Sequence, residues 1–300
     1  MIIDVHVHLY WPEVNADPAG WAAARGERHW SELATRVRQN GKPVQHFPSV
    51  DQLLKEMDQA GVERSVLLGW YWETAQSCEE QNAFYAECVR QHPDRLAASV
   101  TVYPPAGAGH VEREFHRAAE AGFRGVGELS PHAQRHSIEH PAFERALALA
   151  GLAGWPVNLH VTDPETRPYP GQVNTPLGDF GVIARRFPQT DFILAHWGGF
   201  RSEGLDNVYF DTAASPISHG PEVWRRGVDA LGAGRVLFGS DFPLRLYPRE
   251  LEGPGMGRMV EEARLALGNE GGGAEAAGTP LLPLERVLGG NAERWFGRRP

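Results

Sequence analysis

Six side chains with metal-ligand chemistry lie where short β-rich runs end. His6 and His8 are separated by one residue, and the alternation of side chains along a strand places both imidazoles on one face. Four more lie at the ends of four other such runs: Glu128, His160, His196 and Asp241. Imidazole and carboxylate ligands suit zinc, manganese or iron, and such a set usually leaves a position for water. A lone His-x-His is a weak signal, but six residues of this kind predict a divalent metal site.

The elements that must position these residues alternate along the chain. Predicted strands are Ile2–His8, Val62–Gly69, Leu96–Val102, Phe123–Leu129, Pro156–Val161, Asp191–His196, Val208–Thr212 and Arg235–Ser240. Amphipathic segments predict a helix from Ser49 to Gly61 and others near 78–91, 110–121, 141–153, 177–187, 221–231, 256–267 and 284–296. Eight βα units predict a single-domain α/β fold, the (β/α)8 TIM barrel, with its active site at the strand C-termini. A doubly wound open sheet is the alternative, but no strand is followed by GxGxxG or a P-loop.

Two stretches interrupt this alternation. Residues 10–48 form a long, tryptophan- and proline-rich connection after the first strand, which predicts either a lid-like insertion over the barrel mouth or a packed excursion serving oligomer contacts. Residues 268–280 are rich in glycine and alanine and predict a flexible connector.

The composition narrows the classes of partner. A net charge of −9 without a long basic run argues against nucleic acid. No apolar run approaches the ~20 residues of a membrane span, and no signal peptide is evident, so a cytoplasmic location is expected by default. Cys78 and Cys88 fit neither a redox nor a zinc motif and are predicted to be buried in a helix.

Several longer sequence words resemble the amidohydrolase superfamily, particularly its amidohydrolase-related branch, which includes aminocarboxymuconate semialdehyde decarboxylase. They are IDVHVH at 3–8, LH at 159–160, LAHWGG at 194–199, FGSDFP at 238–243 and LGGNAERWFG at 288–297. No single word is decisive, but the ordered set extends over essentially the whole chain.

The resemblance implies a role for each matching residue. His6 and His8 would hold the first metal, and His160 and His196 match the ligand positions of strands five and six. Asp241 would contact the metal or its water and serve as the catalytic general base. A homo-oligomer is the family expectation.

The resemblance leaves open whether the chain holds one metal or two. A carbamylated lysine at strand four bridges two metals in many relatives, but Lys42 and Lys55 are the chain's two lysines and neither lies at a strand end. Glu128 instead resembles the strand-four glutamate of the TatD-like branch, which bridges two metals. Decarboxylase-type relatives more often use one metal and lack that carboxylate, so Glu128 favours hydrolysis.

Residues near the strand ends are candidates for substrate contact. Arg167, Arg201 and Arg245 follow strands five, six and eight, and guanidinium binds carboxylate bidentately, which predicts a small anionic substrate. Trp197 would either wall the pocket or pack behind the metal, and His132 would support the ligands from outside.

The predicted function is that of a metal-dependent hydrolase, with zinc favoured over manganese or iron, acting on an ester, lactone or amide bond of a small molecule through metal-activated water. The alternative is a metal-dependent decarboxylase or hydratase of an aromatic or unsaturated carboxylic acid, which the words around His196 and Asp241 resemble well. A metal-binding barrel without turnover is a third interpretation, against which the complete ligand set argues.

Overall fold

The computed structural model describes residues 1–202, 204–268 and 282–297, and a parallel sheet that curves into a barrel lies at its centre. The strands are β1 (Ile3–Val7), β2 (Arg64–Leu67), β3 (Leu96–Val100), β4 (Gly125–Leu129), β5 (Val157–Leu159), β6 (Phe192–Leu194), β7 (Val208–Asp211) and β8 (Val236–Leu237). Sheet order equals chain order. Backbone hydrogen bonds from Val5 N to Phe238 O (2.9 Å) and from His8 N to Phe242 O (2.7 Å) join β1 to the segment around β8. The predicted single-domain (β/α)8 barrel is confirmed.

Helices surround the strands, so both faces of the sheet are buried and the strands are almost continuously apolar. The helices are α1 (Pro12–Ala16), α2 (Pro18–Arg25), α3 (Arg28–Ala34), α4 (Val50–Ala60), α5 (Ala75–Gln91), α6 (Ala108–Glu120), α7 (Pro141–Ala153), α8 (Leu177–Arg186), α9 (Ser215–Ser218), α10 (Val223–Leu231), α11 (Met256–Leu267), α12 (Pro283–Glu285) and α13 (Glu293–Phe296). None of the described helices is long and apolar enough to cross a membrane.

Local sequence signals set the ends of α4 as predicted. The Ser49 side chain accepts from Gln52 N while the Gln52 side chain accepts from Ser49 N, which completes a capping box. Gly61 ends the helix in the left-handed region at φ 70°. Cys78 and Cys88 are buried and unpaired on α5, as expected.

The C-terminal segment differs from the single helix predicted near 284–296. It consists of α12, a wide turn at Arg286–Gly290 and α13. Gly289 lies directly against the start of β1, where a Cβ atom would come within 2.2 Å of Met1 O. The helical turn is therefore wider where Gly289 packs against the chain just before β1.

The insertion at residues 10–48 is folded rather than structureless. It contains α1, α2 and α3, and Trp11 and Trp30 pack in an aromatic cluster with Trp72 from the loop after β2. Glu27 is buried and accepts hydrogen bonds from Glu73 N and Thr74 Oγ1, both at 2.8 Å. These contacts fasten the insertion to the barrel, while its opening as a lid stays a prediction. The predicted connector lies outside the described residues except for Gly268, which follows α11.

Candidate metal centre

Four of the predicted ligands meet at the C-terminal end of the barrel. His6 and His8 come from the end of β1, Glu128 from β4 and Asp241 from the turn after β8. The Nε2 atoms of the two histidines are 3.1 Å apart. Glu128 Oε2 lies 3.8 and 3.6 Å from these nitrogens, and Asp241 Oδ1 lies 3.7 and 3.6 Å from them. All four side chains are at most 9% exposed.

The spacing of the carboxylates from the two histidines suits a divalent cation. Around a metal about 2.0–2.2 Å from each ligand, tetrahedral donor atoms lie about 3.3–3.6 Å apart. The five separations that involve a nitrogen of His6 or His8, 3.1 to 3.8 Å, bracket that range. Two imidazole nitrogens with two carboxylate oxygens form a donor set that suits zinc, manganese or iron. The cluster can therefore bind a divalent metal, and its geometry does not choose among these ions.

The orientation of His6 depends on Asp211, at the end of β7. Asp211 is fully buried and its Oδ2 accepts from His6 Nδ1 at 2.9 Å, which turns Nε2 towards the cluster. The same oxygen accepts from Asn158 Nδ2, and Oδ1 accepts from His196 N at 3.1 Å. Gly239 leaves room for this contact, since a Cβ atom there would lie 2.8 Å from the Cβ of His6.

Main-chain carbonyls orient two further imidazoles. His8 Nδ1 bonds Leu68 O and His196 Nδ1 bonds Ala213 O, each at 3.0 Å, so each ring has its Nδ1 occupied and its Nε2 available. His196 and Asp241 both have left-handed backbone, with φ of 55° and 65°. Such conformations are costly for residues other than glycine and occur preferentially at functional sites.

Glu128 connects the first four residues to a second group. Its Oε1 bonds His160 Nδ1 at 2.8 Å, while its Oε2 faces His6 and His8. Glu128, His160 and His196 each offer a ligand atom within 4.8 Å of the others. The structure thus brings together all six residues predicted as ligands, with Glu128 between the two groups. Neither of the two lysines lines this site.

The cluster is built to stabilise positive charge. Burial opposes a charge on His6, but the carboxylates of Asp211 and Asp241 outweigh it and raise the pKa of His6 to about 10. Burial likewise opposes ionisation of Glu128, yet the adjacent His160 lowers the pKa of that carboxyl. The pKa values of Glu128 and Asp211 are lowered, and the negative charge that stabilises a proton on His6 also favours a metal cation at this place.

A single pocket leads from this cluster to the surface and encloses about 950 Å³ up to its open mouth. Trp70, Tyr71 and Tyr169 contribute aromatic walls, and Trp70 stacks on Tyr71 with ring centroids 4.4 Å apart. The insertion contributes Leu33, Ala34, Arg36 and Gln45.

Three hydrogen-bond donors on the pocket wall have no partner within the described part of the chain. They are Arg36 Nε, Gln45 Nε2 and Trp70 Nε1, and all three atoms are buried. Arg36 also lies over the ring of Tyr169 at 4.5 Å. Buried donors are nearly always paired, so these three leave hydrogen-bonding capacity unused beside the pocket.

The arginines predicted to select substrate are elsewhere. Arg167 and Arg201 are exposed, Arg245 lies near Glu252 at 3.4 Å, and none of the three is among the described residues that line the pocket. Thr166 and Tyr169 on the loop of Arg167, and Leu244 beside Arg245, do line the pocket, so position on a loop after a strand end did not suffice to place the arginine side chains there. His132 pairs with Asp179 at 2.9 Å and contacts none of the six ligands. Trp197 is fully buried and lines the pocket, so it fits both roles considered for it.

Sequence reasoning missed Asp211 and Arg36. Asp211 is the last residue but one of the predicted strand Val208–Thr212, as Glu128 is of Phe123–Leu129, and that signal was available in the sequence. Arg36 lies inside the insertion, where no periodic pattern relates a residue to the barrel, and only the folded position of α3 brings it to the pocket.

Comparison with known proteins gives the family. The family model described as amidohydrolase matches residues 3–298. One similar structure is a putative amidohydrolase from Staphylococcus aureus, with 16% identity, a TM-score of 0.62 and 99% of each chain covered. A second is 5-carboxyvanillate decarboxylase from Novosphingobium aromaticivorans with manganese and a nitrobenzoic acid, with 15% identity, a TM-score of 0.68 and coverage of 99% of this chain and 96% of that one. A third is 2,6-dihydroxybenzoate decarboxylase from Rhizobium, with 15% identity, a TM-score of 0.61 and 98% of each chain covered. At these identities the structures support the fold alone, and no curated protein sequence matches. The match over almost the entire chain shows that the protein belongs to the amidohydrolase family, in its amidohydrolase-related branch.

Proposed function

We propose that the protein is a metal-dependent decarboxylase of an aromatic or unsaturated carboxylic acid. The observation that carries this proposal is the pocket, which combines a histidine–carboxylate cluster at its base with flat aromatic walls and unpartnered donors. Flat walls suit a planar substrate, and the donors suit its carboxylate or other acceptor atoms. The decarboxylases among the similar structures add support, and the manganese in one of them makes manganese a candidate beside zinc and iron.

The residues that would hold the metal are His6, His8, Glu128 and Asp241, with His160 and His196 adjacent to them. A divalent metal bound there would supply Lewis-acid polarisation of a substrate oxygen.

The reaction replaces a carboxylate by hydrogen: the bond from the substrate carbon to the carboxylate breaks, CO2 leaves, and that carbon takes up one proton. Asp241 lines the pocket beside the candidate ligands, so we assign the proton to its carboxyl group and take Asp241 as the catalytic residue. The aromatic side chains of Trp70 and Tyr71 exclude water from the plane of the substrate, and Arg36 neutralises its charge.

Hydrolysis is the second candidate, and the position of Glu128 favours it. One oxygen of this carboxylate faces His6 and His8 while the other bonds His160, which is the arrangement expected of a carboxylate shared by two metals. Under hydrolysis the same pocket would take an ester, lactone or amide of similar size.

The test is turnover in D2O by protein loaded separately with manganese and zinc, offered hydroxylated benzoic acids and, in parallel, aryl esters and lactones. Decarboxylation releases CO2 and leaves one deuterium on the product carbon, which nuclear magnetic resonance detects. Asp241→Asn is expected to lose at least about 100-fold in rate, in line with the loss of a general acid–base group. Cleavage of esters or lactones without CO2 release from any acid would replace the proposal by hydrolysis.

A further inference from the structure

A second polar region of the pocket lies on the loops that follow β5 and β7. His219 Nε2 donates to Asp163 Oδ2 at 2.5 Å, and both side chains line the pocket although they are only 6% and 7% exposed. Thr166 and Ser218 line the pocket beside them, with their hydroxyl oxygens 2.7 Å apart. None of these four residues belongs to the six ligands.

This region differs in polarity from the wall with the unpartnered donors. Gln45 forms a bridge to Leu244 beyond β8, and Trp70 follows β2, whereas Asp163 and His219 follow β5 and β7. Asp163 and His219 therefore offer a carboxylate and an imidazole on the pocket wall, with two hydroxyls beside them, in addition to the donors of Gln45 and Trp70.

Asp163 keeps acceptor capacity towards the pocket. Its Oδ1 accepts from Glu165 N at 2.8 Å and its Oδ2 from His219, which leaves further lone pairs on a carboxylate that can accept about four hydrogen bonds. Burial would raise the pKa of Asp163, but the hydrogen bond from His219 outweighs it and the pKa is lowered, so the carboxylate is charged.

The two loops are also connected on their outer side, away from the pocket. Glu165 forms a two-point ion pair with Arg226 on α10, and both side chains are nearly half exposed. The ion pair between Glu165 and Arg226 thus connects the two segments at the surface, and this connection does not require the buried carboxylate of Asp163.

We propose that Asp163 and His219, with Thr166 and Ser218, form a recognition subsite for a hydrogen-bond-donating substituent, a hydroxyl or an amino group, on the substrate. This inference rests on the proposed function for the class of substrate, an aromatic or unsaturated acid whose carboxylate the rest of the pocket binds. The subsite sets which substituted acids bind and contributes no group to bond breaking.

The experiment measures binding by calorimetry to manganese-loaded protein, without turnover. The probes are 3- and 4-hydroxybenzoate, the two aminobenzoates, the two methoxybenzoates and benzoate. Wild-type protein is expected to bind the better hydroxy or amino isomer about tenfold more tightly than its methoxy counterpart. The reason is that a methyl ether has no hydrogen to donate to the charged carboxylate of Asp163. The hydroxy and amino series separate the two kinds of donor.

Asp163→Asn is expected to reduce this preference to within about twofold, since the amide can present a donor of its own. Arg167→Gln is the control on the same loop, and it should keep the full preference because its side chain is exposed and does not line the pocket. Thr166→Val tests the same subsite if Asp163→Asn does not fold, with a smaller reduction expected.

Equal binding of hydroxy, amino and methoxy acids by wild-type protein would overturn the inference, as would a preference that survives Asp163→Asn or a failure of every benzoate to bind. If the preference depends on Asp163 but the protein decarboxylates none of these acids, the subsite is retained and the proposed function is rejected. If the protein decarboxylates these acids but shows no preference, the proposed function is retained and the subsite is rejected.

Discussion

The cluster of candidate ligands at the strand ends and the pocket wall formed by the insertion, here called the outer wall, differ in how many of their polar groups have hydrogen-bond partners. At the cluster, His6, His8 and His196 each have their Nδ1 bonded to a carboxylate or carbonyl at 2.9–3.0 Å. On the outer wall, Arg36 and Gln45 each leave a buried donor without a partner in the described residues. The cluster is held in its geometry by the protein itself, whereas the wall keeps donors that the described residues do not satisfy. Under the proposed function, the strand ends supply the chemistry and the insertion and loops select the substrate.

The strongest test of this division is Glu128→Gln, because this isosteric change removes a charge at the cluster. We expect about one metal per chain in the wild type and a loss of metal affinity greater than about 100-fold in the variant. This loss exceeds the one expected when a residue that only hydrogen-bonds a ligand is changed. Metal analysis after dialysis measures both. Two metals in the wild type that fall to one in the variant would instead identify Glu128 as a bridge and favour the hydrolase.

Asp211→Asn should have the next largest effect, since it disturbs His6 without removing a ligand atom. The expected loss of metal affinity is about 10- to 100-fold, measured by competition with a chelating dye. Asp179→Asn is the matched control, because Asp179 bonds His132 at the same 2.9 Å but contacts none of the ligands. An unchanged metal affinity in Asp211→Asn would show that the cluster does not depend on this support.

Arg36→Gln should have the smallest effect of the three and should leave the metal in place. Loss of one charge-assisted hydrogen bond predicts binding of benzoate weakened by about tenfold at unchanged metal content. Arg167→Gln, in an exposed loop that does not line the pocket, should bind benzoate as the wild type does. If Arg36→Gln lost metal as well, the division between cluster and wall would be wrong.

The sequence was informative wherever a repeating pattern relates a residue to the barrel. The strands and most helices follow from alternation and periodicity, and the ligands follow because a residue at a strand end must face the barrel mouth. Arg36 could not be found this way, since its place depends on how α3 packs on the rest of the insertion.

The Asp163–His219 pair was equally invisible, because two loops 56 residues apart in sequence meet only in the folded chain. The three arginines chosen from loops do not line the pocket, because the position of a residue after a strand end does not fix the direction of its side chain. A small-molecule substrate, a homo-oligomer and a cytoplasmic location stay predictions.

The seam between β1 and the segment around β8 has a consequence for how the protein matures. Asp241 N donates to His6 O at 2.9 Å, so two members of the cluster are hydrogen-bonded neighbours although 235 positions separate them in sequence. A nascent chain that has emerged only as far as β7 contains His6 and His8 without their partner from beyond β8. The complete set of candidate ligands therefore exists only after the last strand has joined the barrel, and a chain interrupted before that strand lacks Asp241.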